Sequence, residues 1–211
     1  MKNKEPRSTD YETPKGYEMP VNLREARRLA EVISKEHVVE LLDLEDAANA
    51  NAAKAYAEIL VEGVRHNGKE VLYYLYADTG IPVDEIVVGE IGGIPAEKSQ
   101  ALLNKAKERD VISVHNHPSN ESFSARDLFT TGKHANIVMS TVVGHDGSIY
   151  EVVVDHAADY LILKNEYNDL LSKLSLDLDY SILGEQILRN DVIEEICYRR
   201  GWQYIRRYYY E

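Results

Sequence analysis

The chain has a single cysteine, Cys197, and no apolar run that escapes interruption by charge within about ten residues, against the roughly 20 that a bilayer span needs. The lone thiol excludes an internal disulfide and a thiolate-built zinc site, and is read as a small buried side chain on a late helix. The short apolar stretches exclude a membrane helix, and Met1-Lys2-Asn3-Lys4-Glu5 lacks the apolar region of a signal peptide, so the expected location is cytoplasmic. Positive charge is also scarce: 24 Lys and Arg stand against 36 Asp and Glu, a net charge of −12 that repels phosphates and favours no general DNA-binding role. What remains, 44% hydrophobic and 28% charged over 211 residues, suffices for one core of ordinary size with an appended piece.

The most informative stretch is Val114-His115-Asn116-His117-Pro118-Ser119-Asn120-Glu121-Ser122-Phe123-Ser124-Ala125-Arg126-Asp127. Asp110 to Val114 is a short β-branched run that predicts a buried strand. Side chains at i and i+2 of an extended chain share a face, so His115 and His117 can converge on one ion about 2.0–2.1 Å from each nitrogen. Pro118 fixes φ, offers no N–H to a ladder, and turns the chain into a loop. Ser124 is placed to cap a helix opening at Ala125, which puts Asp127 in a first turn where the helix dipole favours a carboxylate. His115, His117 and Asp127 make three ligands and leave a fourth position for water, the arrangement of a catalytic zinc site. A His-x-His pair alone is weak; with the proline, the loop and the Ser-x-x-Asp behind a buried strand, it points to a metal.

At these residues the chain resembles the JAMM family of zinc metalloproteases, also called MPN+ or JAB. Its signature is an upstream glutamate, then H-x-H-P, a loop, and S-x-x-D. The run His115-Asn116-His117-Pro118-Ser119 is most similar to the RadC-like branch, while the loop from Pro118 to Phe123 is one residue shorter than the family's usual spacing. The resemblance implies an α/β fold, an α-β-α sandwich with a mixed central sheet, for roughly half of the chain. It also implies Zn2+ as cofactor and a peptide or ubiquitin-like protein conjugate as substrate. The family's glutamate acts as general base where a helix gives way to the first strand; Glu70 stands there, with Glu58, Glu62 and Glu90 as rivals. Each of the four has the alternative of being a solvated carboxylate. The motif serine in the family helps to stabilise the oxyanion, a role for Ser124 compatible with capping.

Residues 1–19 read as a flexible polar arm and 20–43 as an N-terminal packing segment, with a short helix from Leu23 to Ala30; Val32 to Leu42 is undecided between helix and strand. The metalloprotease-like domain is placed at 44–155. It holds a helix from Leu44 to Val64 stopped by Asn67-Gly68, strands 71–77 and 84–90, a helix 96–108, strand 111–114, a helix 125–134, and strands 137–143 and 148–154 turned by Asp146-Gly147. Residues 156–211 are expected to be a helical extension, on the spacing of Leu163, Tyr167, Leu170, Leu174 and Leu178, then Leu183, Ile187, Val192 and Ile196.

The stretch from Tyr198 to Tyr210 interleaves arginine with aromatics. It could contact phosphates and stack on bases, as in a RadC-like protein associated with DNA repair or mobile elements. The alternative, which we favour, closes its aromatics onto the core or a second subunit and pairs its arginines with acids. A non-catalytic scaffold of the same fold is a third reading, which the intact ligand set argues against. His134 could face the metal cleft or cap its helix, His145 reads as solvated in a turn, and His37, His66 and His156 have no ligand partner at metal spacing.

Overall fold

The computed structural model describes residues 22–36, 38–39, 41–90, 93–106, 109–174 and 182–208. The polar arm at 1–19, His37 and Leu178 fall outside them.

In chain order the elements are α1 (Leu23–Ile33), α2 (Asp46–Arg65), β1 (Val71–Tyr76), β2 (Val87–Val88), α3 (Ala96–Ala106), β3 (Val111–His117), α4 (Ala125–Lys133), β4 (Ile137–Gly144), β5 (Ser148–Val153), α5 (Tyr160–Leu174), α6 (Ile182–Arg200) and β6 (Gln203–Tyr208). The strands form one mixed sheet in the order β2-β1-β3-β4-β5-β6. Only β3 and β4 run parallel, since α4 carries the chain between them as a crossover; the other neighbours are antiparallel.

Alternation along the strands divides the core between two faces. Val71, Tyr73, Leu75, Ile112, Val114, Met139, Val143 and Ile149 face α1 and α2. Leu72, Tyr74, Val111 and Ile137 meet α3, while Val142, Tyr150 and Val152 meet α4, α5 and α6. The result is a three-layer α/β architecture with helices on both faces of the sheet. This explains why β3 is buried at every position, including its polar residues. In α2 the side chains of Tyr56, Ile59 and Leu60 are fully buried, each contributing about 1.5–3 kcal/mol for the apolar surface removed from water. The helix stops where expected, because Asn67 and Gly68 adopt φ of 60° and 72°, a left-handed conformation that ends a helix.

Two expectations about the secondary structure fail. The strand foreseen at 84–90 shrinks to Val87–Val88, because Pro82 makes only an isolated bridge to Leu75 and Asp84 turns outward to pair with Lys105. The helix foreseen to the C-terminus ends at Arg200, where Gly201 adopts φ of 69°, and Gln203–Tyr208 joins β5 as the outer strand. That strand is anchored deep. Arg207 reaches the fully buried Glu151 carboxylate at 2.9 Å and donates to the Val38 carbonyl. Tyr56 donates to the same carboxylate at 3.3 Å. Arg199 and Arg200 pair with Glu195 and Glu166, each at 2.6 Å, so these arginines engage carboxylates of their own chain.

Candidate metal centre

The site forms where the C-terminal end of β3 meets the N-terminus of α4. His115 and His117 project from the same face of β3, 5% and 7% exposed, with their Nε2 atoms 3.1 Å apart. Ser124 caps α4 with β-region backbone: its Oγ accepts from Asp127 N at 3.2 Å, and Asp127 Oδ2 accepts from Ser124 N at 2.7 Å. This reciprocal cap turns the Asp127 carboxylate back to the histidines, with Oδ1 3.5 Å from His115 Nε2 and Oδ2 3.3 Å from His117 Nε2. A tetrahedral ion with bonds of about 2.0–2.1 Å has ligand-to-ligand edges of about 3.3–3.4 Å. The His115–His117 separation of 3.1 Å is close to that value, and the two histidines face different oxygens of the Asp127 carboxylate, at 3.5 and 3.3 Å. The group could hold a metal ion.

The surroundings fit coordination. His117 Nδ1 donates to Ser122 O at 2.8 Å and lies 3.1 Å from Glu121 O, which fixes a proton on Nδ1 and makes Nε2 the nitrogen that a metal would take once its own proton is displaced. Burial pushes the metal-free His117 imidazole down, but the Asp127 carboxylate, helped by Glu70, outweighs it and carries the group up to about 9. Burial would likewise raise Asp127, yet His115 and His117 hold its carboxyl well below the usual carboxylate range. The two shifts are one interaction seen from its two ends, the ionised Asp127 carboxylate favouring positive charge on the imidazoles beside it.

Glu70 lines the same cleft of about 720 Å3 as the three ligands and Ser124. Burial raises its carboxyl above the ordinary value, against the opposing pull of His117 and His115. None of its three rivals lines the cleft: Glu58 and Glu90 are exposed, Glu90 with Lys69 at 3.3 Å, and Glu62 pairs with Arg65. The cleft floor is polar. Tyr74 and Ser99 share a hydrogen bond of 2.9 Å, Thr131 and Ser140 one of 2.6 Å, and Ser113 lies between them on β3. His134 both caps α4 and lines the cleft, without belonging to the ligand group.

The shortened loop is held firmly. Asn120 sits at φ of 58°, a left-handed conformation that asparagine tolerates. Its Oδ1 accepts from Asp146 N at 3.0 Å and its carbonyl accepts from Tyr150 OH at 3.0 Å. From α6, Asn190 accepts from Ser122, and Arg189 stands 3.6 Å from Glu121. The carbonyls that orient His117 are therefore fixed by the β4–β5 turn and by α6. In the sequence, this anchoring is signalled only by the asparagine at position 120.

His145 departs from the expectation of a solvated turn residue. It is fully buried, because α2 closes over the turn, and its Nε2 accepts from Asn116 Nδ2 at 3.0 Å. Burial, with the nearby His117, holds it down to about 4, so its imidazole is neutral near pH 7.

No protein-family model, curated protein or solved structure matches this chain. No helix among the described residues is long and apolar enough to cross a membrane.

Proposed function

We propose that the protein is a zinc-dependent metallopeptidase or isopeptidase of the JAMM type, acting in the cytoplasm on a peptide or a ubiquitin-like protein conjugate. The observation that carries this reading is the convergence of two imidazoles, their Nε2 atoms 3.1 Å apart, on the Asp127 carboxylate, whose oxygens lie 3.5 and 3.3 Å from them, with a second carboxylate of raised proton affinity, Glu70, in the same cleft. Zinc held by His115, His117 and Asp127 would supply Lewis-acid chemistry, polarising the scissile carbonyl and acidifying a water. Glu70 takes the proton from the attacking water on its carboxylate and returns it to the departing amine as the C–N bond breaks. Its raised proton affinity suits that exchange. Ser124 Oγ accepts from Asp127 N and so keeps its own hydroxyl proton to donate to the developing oxyanion.

The test is zinc per chain by elemental analysis, followed by a screen of quenched fluorescent peptides. One zinc is expected in the unaltered protein and none in His117→Ala. Glu70→Gln is expected to keep the metal and lose cleavage by a factor of about 10²–10⁴. Loss of metal from the glutamine variant would make Glu70 a ligand instead of a base. Absence of zinc from the unaltered chain after reconstitution would leave the scaffold reading.

A further inference from the structure

Between the two histidines of β3 stands a side chain directed at the opposite face of the sheet. We propose that Asn116 is a positioning residue for Glu70, gripping the peptide groups on either side of it; this rests on the reading of Glu70 as the base. The β1–β3 ladder runs from Tyr76↔Val111 to Leu72↔His115 and stops. Where Val71 would next pair with Asn116, the asparagine side chain takes over. Its Oδ1 accepts from Val71 N at 2.6 Å and its Nδ2 donates to Lys69 O at 3.2 Å. One carboxamide thus holds both peptide groups flanking Glu70.

The opposite edge of the same segment is held by the chain around β2. Glu70 N donates to Glu90 O at 3.2 Å, and Gly89 N donates to Glu70 O at 2.8 Å. The backbone at Glu70 is therefore tied on both sides. On the β3 side the tie is a side chain, so the position of Glu70 depends on the identity of residue 116. A general base must lie within about 2.6–3.2 Å of the proton it moves, and a displacement of about 1 Å can cost 10²-fold in rate.

Two neighbours fix the carboxamide. Nδ2 spends a second hydrogen on His145 Nε2 at 3.0 Å, and flipping the amide would set acceptor against acceptor at Lys69 O and donor against donor at Val71 N. Gly63 in α2 makes the room. A Cβ there would lie 2.4 Å from Asn116 Nδ2 and 2.9 Å from His145 Nε2. Glycine inside a helix costs about 1 kcal/mol relative to alanine, and the space needed by Asn116 and His145 accounts for it.

The experiment uses the full chain as unaltered protein, Asn116→Ala, Gly63→Ala, Glu70→Gln and the Asn116→Ala/Glu70→Gln double variant. Zinc per chain, the visible spectrum after cobalt(II) substitution, and kcat and KM on the best-cleaved quenched fluorescent peptide are measured for each. Asn116→Ala and Gly63→Ala are expected to keep one metal, alter the cobalt spectrum, and lower kcat about 100-fold with little change in KM. In the Glu70→Gln background the same Asn116 substitution is expected to cost nothing further, because its effect passes through Glu70. An additive loss in the double variant, loss of metal from Asn116→Ala, or an unchanged kcat would overturn the proposal, as would failure of both single variants to fold. Absence of metal or cleavage in the unaltered protein would instead overturn the underlying reading, and this one with it.

Discussion

Metal binding and metal-free stability should depend on pH in opposite directions, and the size of the effect follows from His117. In the metal-free protein burial pushes its pKa down, but Asp127 and Glu70 outweigh that and carry it from the ordinary 6.5 up to about 9. A group whose folded pKa is raised contributes stability that is complete below about pH 6.5 and is lost as pH rises through about 9, here about 3 kcal/mol. Asp127 has the reverse sign: its depressed carboxyl stabilises above its ordinary value of 3.8, and this is lost as pH falls below it. The metal-free melting temperature should therefore decline between about pH 6.5 and 9 from this pair. Zinc must displace the His117 proton throughout that window, so its apparent affinity should rise about tenfold per pH unit. At fixed free zinc the gain from pH 7 to pH 9 is about 3 kcal/mol, or about 6–12 °C in Tm for a chain of this size. Calorimetry in zinc-buffered and chelator-containing solutions measures both slopes. A zinc-induced shift that does not grow with pH, or one of equal size in His117→Ala, would refute the reasoning.

Ser124→Ala is expected to cost about 1 kcal/mol in chemical denaturation through loss of the α4 cap, and to lower kcat about 100-fold while retaining zinc. Loss of stability with kcat intact would confine Ser124 to capping. Arg207→Leu leaves the buried Glu151 carboxylate without its arginine and should destabilise by about 3–5 kcal/mol in urea unfolding. A cost below about 1 kcal/mol would mean that the carboxylate protonates or is rehydrated at little expense.

The convergence of His115, His117 and Asp127 was legible because it is local. Strand alternation places His115 with His117, and a cap chemistry readable from Ser124 places Asp127, all without knowledge of the tertiary fold. Glu70 was legible only as one of four, since choosing it over Glu58, Glu62 and Glu90 requires knowing which edge of β1 faces the cleft. His145 was misread because a polar turn gives no sign that α2 will close over it. The C-terminal strand was misread because the leucine spacing of α5 and α6 was carried past Gly201, although Tyr204, Arg206 and Tyr208 alternate as strand residues do.

The crossover from β3 through α4 to β4 has a consequence for how the protein acquires its site. The three donors lie between residues 115 and 127, so closing one short loop brings them together at small entropic cost. Glu70 arrives from a distant part of the chain and reaches the donors only when β1 docks antiparallel to β3. On the metallopeptidase reading proposed above, a nascent chain with the crossover formed and β1 undocked would hold an ion before it could hydrolyse a substrate. On the same reading, such an order would let a metal act as a folding template and would delay hydrolytic competence until the sheet is complete.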